Sequence, residues 1–230
     1  MLQILYEDAH CLAVNKPAGL LIQGRHPGDE TLEMAVRRHL DRDSPTTVYL
    51  GIVHRLDRPV SGVVLWAKNP KAARRLAEQF ANRETAKEYR AAVSPIPTIS
   101  SGVWEDWLDE RDAGMGRVLI CQEDTPQARH AVTRFVVGVC PTRPTVAFLM
   151  LQPETGRTHQ LRVQSSSRGW PILGDLRYGS TEPFPNGIAL HAASLTVKHP
   201  TTGATMTISA DLPESWNQAG LFSSFQFRES

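Results

Sequence analysis

The amino-acid sequence predicts an α+β fold with a largely antiparallel sheet. Three observations lead to this class: short apolar runs bounded by turn residues outnumber the helical patterns, the helices interrupt those runs irregularly, and the last two runs flank a Pro-Thr-Thr-Gly turn. The chain of 230 residues is long enough to bury a real core. Since no internal repeat and no domain linker stand out, we predict a single domain over residues 1–230.

The first third of the chain combines short strands with one helix. "QILYEDAHCLAVNKPAG" holds two apolar runs and a Pro-x-Gly turn, which predicts two strands and a loop. In "TLEMAVRRHL", the residues Leu32, Ala35, Val36 and Leu40 share one helical face. "SGVVLWAK" is a nearly continuous apolar run, which is typical of a buried strand.

A second helix is predicted in "NPKAARRLAEQFANRE". Asn69 can cap this helix, and Pro70 suits its first turn. Its buried stripe should contain four apolar side chains, Ala73, Leu76, Ala77 and Phe80. The following "KEYRAAV" predicts a strand.

The remainder of the chain is predicted to be mostly strand. Residues 94–127 are rich in Pro, Gly and acidic side chains, which predicts a loop with short strands. "ARHAVTRFVVGV" and "TVAFLMLQP" predict an antiparallel pair, and "LHAASLTVKHPTTGATMTISADLP" predicts a hairpin. "TGRTHQLRVQSSSRG" predicts another helix, capped by Thr158, with His159 and Arg162 on one face.

Cysteine usage and hydropathy narrow the class of protein. The three cysteines, Cys11, Cys121 and Cys140, are widely spaced, which argues against a disulfide framework and a zinc site and favours a reducing compartment. The N-terminus carries Glu7 and Asp8 where a signal peptide needs an apolar run. No segment approaches the roughly 20 apolar residues of a membrane span. We therefore predict a cytoplasmic protein.

The distribution of charge is more informative than the net charge of +1. Between His54 and Arg90, nine Lys and Arg side chains stand against four acidic ones. Such a basic patch on a nearly neutral protein suits a polyanion bound at one face. It is equally typical of helices with solvated basic faces, so charge alone leaves both interpretations open.

Three short strings carry residues suited to chemistry on a nucleobase. "HRLDRPVSG" sets Asp57 between two arginines, "AKEYRAAV" holds Tyr89, and "ETGRTHQLRV" holds Arg162. The carboxylate can act as nucleophile or base, the phenol ring can stack on a base, and the guanidinium can keep the carboxylate ionised. Taken alone, Asp57 is more often a structural turn residue, and spacing does not bring the three side chains together.

These strings resemble the RluA-type family of RNA pseudouridine synthases, whose catalytic motif is similar to "HRLDxxTSG". The similarity extends to "LAVNKPAGLL", "PILGDLRYG" and "LHAASLTVKHP", in the family's usual order over residues 4–200. The resemblance implies a mixed, mainly antiparallel sheet with a central cleft flanked by helices. It also implies an isomerase that converts a specific uridine of structured RNA to pseudouridine.

The resemblance assigns a role to each matched residue. Asp57 corresponds to the catalytic aspartate, Tyr89 to the tyrosine that packs on the target base and takes part in proton removal at C5, and Arg162 to the arginine that ion-pairs with the aspartate. Leu161 would help to line the base pocket. Arg55 would enter the space left by the flipped uridine.

Other residues of the "HRLD" string are expected to assist or tune the site. We place Arg58 and His54 among the substrate-binding residues, with His54 as a supporting residue and not as a general base. Val60 stands where threonine is usual, which removes one hydroxyl and should tune activity rather than abolish it. Since the likeness begins within the first ten residues, we expect no separate N-terminal module of the S4 type.

The implied reaction breaks the glycosidic bond, rotates the uracil and joins its C5 to C1′. It includes no redox step, hydride transfer or phosphate transfer, so no cofactor and no metal are expected. Asp57 either bonds covalently to the nucleoside or removes a ribose proton, and both routes remain open. The expected partner is RNA, either tRNA or rRNA, with no DNA and no membrane, and the protein is expected to be a monomer.

Two other functions remain open at the level of sequence. A non-catalytic RNA-binding protein could keep the synthase fold and its basic surface, although it would not need a carboxylate facing a polyanion. A nucleoside hydrolase with an aspartate nucleophile would release free base and sugar, whereas a synthase leaves the isomer joined within the chain. The reaction product distinguishes these alternatives.

Overall fold

A computed structural model of the chain describes residues 2–24, 30–41, 43–111, 117–221 and 226–227. Contacts between Cα atoms divide the chain into two compact units. The first unit comprises residues 1–86 and 192–211, and the second comprises residues 87–191 and 212–230. Each unit is therefore assembled from two separate segments of the chain, and the single catalytic domain stays a prediction.

Strands dominate the described residues, with helices set irregularly between them. In chain order the elements are β1 (Gln3–Glu7), β2 (Cys11–Lys16), α1 (Leu32–Leu40), β3 (Gly51–Ile52), β4 (Ser61–Ala67), α2 (Pro70–Ala81), β5 (Ala86–Val93), β6 (Ser101–Asp109), β7 (Leu119–Cys121), β8 (Arg129–Val139), β9 (Ala147–Pro153), α3 (Gln160–Ser167), β10 (Leu190–Lys198), β11 (Thr205–Ser209), α4 (Glu214–Gln218) and β12 (Gln226–Phe227). Short 3-10 turns span Pro45–Thr47 and Leu176–Tyr178. This order confirms the predicted α+β class.

In the first unit, strands β1, β2, β4 and β10 lie side by side in that order, with β3 on β4 and β11 on β10. The pairs β1–β2, β2–β4, β3–β4 and β10–β11 are antiparallel. Every residue of β4 is buried, which confirms the strand predicted from "SGVVLWAK". The predicted hairpin is also confirmed, because Ser194 lies opposite Ser209 and Lys198 opposite Thr205.

Both helices of the first unit begin where their local sequence predicts. Asn69 Oδ1 accepts a hydrogen bond from the N–H of Ala72 at 2.9 Å, and Pro70 opens α2. Thr31 Oγ1 accepts from the N–H of Met34 at 3.2 Å and caps α1. Each cap satisfies a backbone donor that the helix itself leaves without a partner.

The buried face of α2 differs from the predicted stripe. Leu76 lies in the core as predicted, but Ala77 is exposed and Gln79 is buried instead. Gln79 Nε2 donates to the carbonyl of Lys198 at 2.8 Å, and its Oε1 accepts from the N–H of Lys198 at 2.8 Å. A polar side chain fits there because it completes the backbone hydrogen bonding of β10, so the prediction for Ala77 was wrong.

In the second unit, strands β5, β9, β8, β6 and β7 lie in that order, with β12 on β8. The predicted antiparallel pair β8–β9 is confirmed. The segment 94–127 contains more structure than the predicted loop with short strands, because β6 is nine residues long and pairs with β8 from Ser101 to Leu108. Residues 112–116 of that segment lie outside the described residues.

Every strand pair with a described register is antiparallel, in agreement with the predicted sheet. Within the described ranges, no helix is both long enough and apolar enough to cross a membrane. The cytoplasmic location stays a prediction.

Candidate active site

Asp57 lies on a closed turn of the first unit, between β3 and β4. The N–H of Val60 donates to the carbonyl of Asp57 at 3.1 Å and closes the turn. Leu56 and Val60 are buried, Asp57 is half-buried, and Arg55 is exposed. The turn therefore holds a carboxylate between apolar residues and leaves it partly accessible, which suits a group that reacts with a bound ligand.

The buried side chain of Lys16 ties this turn to the loop that follows β2. Lys16 Nζ donates to the carbonyls of Pro17 at 3.0 Å, Leu20 at 2.8 Å and Arg58 at 3.1 Å, and the residue is 0% exposed. Three carbonyls match the three hydrogens of an ammonium group. Since Arg58 directly follows Asp57, the lysine fixes the backbone of the turn that carries the carboxylate.

Lys16 and Asp57 are also electrostatically coupled. Burial lowers the pKa of Lys16 to about 7, the Asp57 carboxylate raises it, and the positive charge of Arg58 lowers it further. The Asp57 carboxylate therefore favours the ammonium form of Lys16. The first unit thus supplies a buried cation near the predicted catalytic aspartate.

Arg58 connects the same two segments from the outside. Its Nε donates to the carbonyl of Gly19 at 2.9 Å, and the N–H of Gly19 donates to the carbonyl of Arg58 at 2.8 Å. Gly19 has a φ of +85°, a backbone conformation that favours glycine. Arg58 therefore has a structural task, and its contact with RNA stays a prediction.

His54 supports the strand next to the turn. Its Nε2 accepts a hydrogen bond from the N–H of Leu65 at 2.9 Å, and its ring stacks on Phe80 with centroids 4.9 Å apart. Because Nε2 is the acceptor, a neutral ring carries its proton on Nδ1. Its predicted substrate-binding role remains a prediction, as does that of Arg55.

The other predicted site residues belong to the second unit. Tyr89 lies in β5 opposite Leu151 of β9 and is half-buried. Leu161 and Arg162 lie in α3, and both are buried. The two units thus divide the predicted set, and the convergence of Asp57 with Tyr89 and Arg162 around one uridine stays a prediction.

Helix α3 is held by polar contacts on its buried residues. Gln160 Nε2 donates to Thr133 Oγ1 at 2.9 Å, and Thr133 Oγ1 donates to Gln164 Oε1 at 2.8 Å. Gln164 Nε2 then donates to Asp106 Oδ2 at 2.8 Å. This connected network joins α3 to β8 and β6, and it fixes the helix that carries Arg162.

The start of α3 differs from the predicted cap. The N-cap is His159, which has a φ of +53° and makes no side-chain capping bond, so Thr158 lies one residue outside the helix. Side-chain caps usually require an extended backbone at the N-cap, and the left-handed conformation of His159 replaces that geometry. The His159 ring instead contacts the hydroxyl of Tyr178 through Nδ1 at 2.8 Å.

Arg162 is engaged by a carboxylate of its own unit, Asp175. Arg162 Nε donates to Asp175 Oδ2 at 2.7 Å, and Nη2 donates to Oδ1 at 2.9 Å. The two side chains are only 4% and 2% exposed, and Cζ of Arg162 lies 5.0 Å from the ring centroid of Tyr178. This is a bidentate, buried ion pair covered by an aromatic face. The predicted ion pair between Arg162 and Asp57 stays a prediction.

Comparison with known proteins decides the family. The family model described as RNA pseudouridylate synthase matches residues 10–167. The chain belongs to the RNA pseudouridylate synthase family. It is 37% identical to the dual-specificity RNA pseudouridine synthase RluA of Escherichia coli K12, over 91% of this chain and 92% of that protein. It is 35% identical to tRNA pseudouridine synthase C of Salmonella typhimurium, over 95% and 88% respectively.

Solved structures support the same family. Human RNA Pseudouridylate Synthase Domain Containing 1 matches with a TM-score of 0.78 and 26% identity, covering 100% of this chain and 91% of that one. Human RNA Pseudouridylate Synthase Domain Containing 4 matches with a TM-score of 0.76 and 25% identity, covering 96% and 94%. The RluA-type family and its fold, predicted from the sequence, are confirmed. The protein is an RNA pseudouridine synthase, an isomerase with an RNA substrate.

Sequence reasoning about the synthase missed three residues of the candidate site, Lys16, Asp175 and Tyr178. A signal was present, since Lys16 lies in "LAVNKPAGLL" and the other two lie in "PILGDLRYG", both of which carried the resemblance. The strings do not reveal which residue each of these side chains contacts. Lys16 bonds to Arg58, 42 positions away, and Asp175 to Arg162, 13 positions away.

The basic stretch of the synthase between positions 54 and 90 contains both cations paired with carboxylates and exposed cations. Three of its cations have carboxylate partners at 2.8–2.9 Å, in the pairs Lys68–Glu7, Arg74–Glu78 and Arg90–Glu88. Arg55, Lys71 and Arg83 are exposed. The positive potential available to RNA is therefore smaller than the sequence count suggests.

Among the described residues of the synthase, Asp8, Cys11 and His199 offer donor atoms within 4.8 Å of one another. His199 Nδ1 accepts the N–H groups of Thr201 and Thr202 at 3.2 and 3.1 Å, so the ring proton sits on Nε2 and is donated to Asp8 Oδ2 at 2.7 Å. Burial, followed by the Asp8 charge, raises the pKa of the Cys11 thiol to about 12. These groups satisfy one another and do not fit a metal ion.

Proposed function

We propose that the synthase isomerises a uridine in a stem-loop of structured RNA, with Asp57 as the reactive carboxylate. The observation that carries this proposal is the Asp57 turn, which is half-buried and anchored through Lys16 and Arg58 within the matched residues 10–167. A reactive carboxylate needs a fixed position. The backbone of this turn is held at the Arg58 carbonyl by Lys16 and Gly19, and at the Asp57 carbonyl by the N–H of Val60.

Transfer RNA is the first candidate substrate and ribosomal RNA the second. One relative is named a tRNA pseudouridine synthase, and another is named a dual-specificity RNA pseudouridine synthase. We place tRNA first because the string "HRLDRPVSGVVL" resembles the tRNA-modifying branch slightly more than the rRNA-modifying one. We also propose that both units act together as one catalytic domain in a cytoplasmic monomer.

Binding is proposed to extrude the target uridine from its stack. Flipping costs a few kcal/mol, and stacking on Tyr89 would return about 1–3 kcal/mol. Arg55, which is exposed beside the Asp57 turn, would fill the vacated space and contact the RNA backbone. Leu161 would contribute an apolar wall of the base pocket.

The proposed chemistry changes only the bonds of one nucleoside. Asp57 either attacks the nucleoside covalently or removes a ribose proton, and the C1′–N1 bond breaks. The uracil rotates in place and C5 bonds to C1′. On the covalent route this step breaks the bond between Asp57 and C1′, and on the other route the ribose takes back its proton from Asp57. The proton then leaves C5 near Tyr89, and N1 takes up a proton. Arg162, pairing with Asp57, would keep that carboxylate ionised and oriented.

Pseudouridine mapping in cells tests this proposal. Carbodiimide-based mapping of all cellular RNA is compared between cells that carry the gene, cells that lack it, and lacking cells complemented with wild type, Asp57→Asn or Asp124→Asn. Asp124 is an exposed carboxylate before β8 and serves as the matched control. We expect one or a few stem-loop sites to disappear and to return with wild type and Asp124→Asn only.

Two results would contradict the proposal. If no site is lost without the gene, the RNA isomerase assignment has no substrate in the cell. If Asp57→Asn restores the sites fully, the reactive carboxylate lies elsewhere.

A further inference from the structure

We propose that Asp175 is a positioning residue for catalysis: together with the ring of Tyr178, its carboxylate holds the Arg162 guanidinium in the orientation from which Arg162 meets Asp57. This inference rests on the proposed function, in which Arg162 pairs with the reactive aspartate. It assigns to the string "PILGDLRYG" a task in the reaction.

The contact between Asp175 and Arg162 fixes the plane of the guanidinium. Two parallel bonds, from Nε at 2.7 Å and from Nη2 at 2.9 Å, leave no rotation about the last bonds of the arginine side chain. In this side-on geometry, a contact to Asp57 would come from Nη1 or from the second hydrogen of Nη2. A single carboxylate thereby decides where the remaining donors of Arg162 point.

The backbone around Asp175 is rigid enough to act as a support. The N–H of Asp175 donates to the carbonyl of Ile172 at 3.0 Å, and its own carbonyl accepts from Tyr178 at 3.0 Å and Ser180 at 3.1 Å. Ser166 Oγ, on α3, donates to the carbonyl of Tyr178 at 2.6 Å. The turn that bears the carboxylate is thus joined to the helix that bears the arginine.

Tyr178 holds the other face of the guanidinium. Its ring centroid lies 5.0 Å from Cζ of Arg162, within the range of a cation–π contact. The ring is itself fixed, because its hydroxyl accepts from the N–H of Val118 at 3.2 Å and contacts His159 Nδ1 at 2.8 Å. Arg162 is therefore held edge-on by a carboxylate and face-on by an aromatic ring.

Charge explains why a second carboxylate is useful here. Arg162 is 4% exposed, and a buried guanidinium is costly unless an anion accompanies it. Asp175 is 2% exposed and supplies that anion within the same unit. Asp57 can then act on the nucleoside without being the only counter-ion of the arginine, so Arg162 stays in place throughout the reaction.

A double-mutant cycle tests the proposal. Purified variants are assayed on a transcript that contains the RNA site mapped in cells. Asp175→Asn should lower kcat by about 100-fold and change KM by less than about threefold, because the Arg162 donor that meets Asp57 is then misoriented. In the background of Arg162→Lys, which keeps the charge but loses the bidentate geometry, Asp175→Asn should lower kcat by less than about threefold further.

Glu154→Gln is the control for losing a carboxylate that pairs with an arginine in the same unit. Glu154 Oε1 accepts from Arg134 Nε at 2.8 Å, and this exposed pair joins β8 to the residue that follows β9 without involving α3. This control substitution should lower kcat by the same factor in the wild-type and Arg162→Lys backgrounds. Equal losses from Asp175→Asn in both backgrounds would overturn the proposal, since Asp175 would then act independently of Arg162.

A readout without substrate separates this proposal from the proposed function. In the 15N NMR spectrum of the free protein, the Arg162 Nε–H should exchange slowly with water in wild type and at least about tenfold faster in Asp175→Asn. Unchanged exchange would overturn the proposal even if the enzyme is active, and inactive wild type on every RNA would contradict only the proposed function.

A conservative variant covers the case in which Asp175→Asn does not fold. Asp175→Glu keeps the charge but moves the carboxylate by one methylene, so it should fold and still lose at least about tenfold in kcat. Full kcat in this variant, or failure of both variants to fold, would assign Asp175 to stability alone and overturn the proposal.

Discussion

Replacing Lys16 with methionine removes the buried cation beneath the Asp57 turn and keeps an unbranched apolar stem of similar length. Three carbonyls lose a donor. The Arg58 carbonyl keeps the N–H of Gly19, whereas those of Pro17 and Leu20 are left unpaired at a cost of about 1–3 kcal/mol each. Removing the buried charge works in the opposite direction. The fall of the Lys16 pKa from 10.5 to about 7 corresponds to about 5 kcal/mol against the charged form. At neutral pH these terms largely offset each other, and we expect the free energy of unfolding to change by no more than about 2 kcal/mol.

The pH dependence of stability is therefore the sharper readout for Lys16. Its pKa in the folded protein lies below its ordinary value of 10.5, so between pH 7 and 10.5 the unfolded chain binds a proton that the folded chain lacks. Stability from this group rises with pH across that window and is lost as pH falls through the folded pKa. From pH 7 to pH 9, the wild type should gain about 2 kcal/mol relative to Lys16→Met.

Urea unfolding at pH 7, 8 and 9 measures this gain as the difference between wild type and variant, in which all shared titrations cancel. Lys71→Met, at an exposed position of α2, is the control and should give a difference that does not change with pH. If the difference for Lys16→Met is equally flat, Lys16 keeps its charge through the whole window and its pKa is not lowered by burial.

Three further predictions concern stability, each measured by thermal or urea unfolding. Burial raises the pKa of Asp8, but hydrogen bonds from two backbone N–H groups and a histidine outweigh it and hold the pKa well below its usual range. Asp8 therefore stabilises the folded protein above about pH 4, and this stabilisation fades at lower pH. Asp8→Asn should cost about 2 kcal/mol at pH 7, and a cost that persists unchanged at pH 2 would contradict this. Asn69→Ala should cost about 1 kcal/mol through loss of the α2 cap, whereas Asn69→Asp should cost little, and equal effects would contradict the capping role. Gly62→Ala should cost at least about 3 kcal/mol of stability, because a Cβ at φ +119° would collide with the Ala192 backbone. The control Gly203→Ala, at φ +75° in open space, should cost about 1 kcal/mol. Similar costs for the two variants would rule out the collision.

Elements with local signals were predictable from the sequence. Helix α2 is specified by Asn69 and Pro70 at its start, and β4 by an apolar run that fits a strand buried on both faces. In both cases the sequence signal lies within the element itself, so the element could be recognised before its tertiary partners were known.

The misses share a physical cause, which is that the deciding partner is distant in sequence. Strand β6 has an exposed, mixed composition and forms because it pairs along its length with β8. Gln79 is buried because the backbone of Lys198 accepts and donates to it, 119 positions away. Thr158 has the right chemistry for a cap, yet the helix starts at the left-handed backbone of His159, whose ring contacts the Tyr178 hydroxyl 19 positions away.

The candidate site shows the same division. The strings that hold Asp57, Tyr89 and Arg162 could be found by resemblance, because they are short and ordered along the chain. The anchors beneath them could not, since a lysine at the end of an apolar strand and an aspartate in a glycine-rich loop are usually solvated. Only the fold places Lys16 and Asp175 out of water and against their partners.

Release of tritium from C5 of uridine is the most direct measurement of what the Asp57 side chain does. A labelled transcript that contains the mapped site is mixed with excess purified wild type, Asp57→Asn or the control Asp124→Asn in single-turnover experiments. We expect Asp57→Asn to release tritium at least about a thousandfold more slowly than wild type while binding the transcript within about threefold, and Asp124→Asn to match wild type. Release by Asp57→Asn at the wild-type rate would contradict the account, because the carboxylate on the anchored turn would then have no part in the reaction.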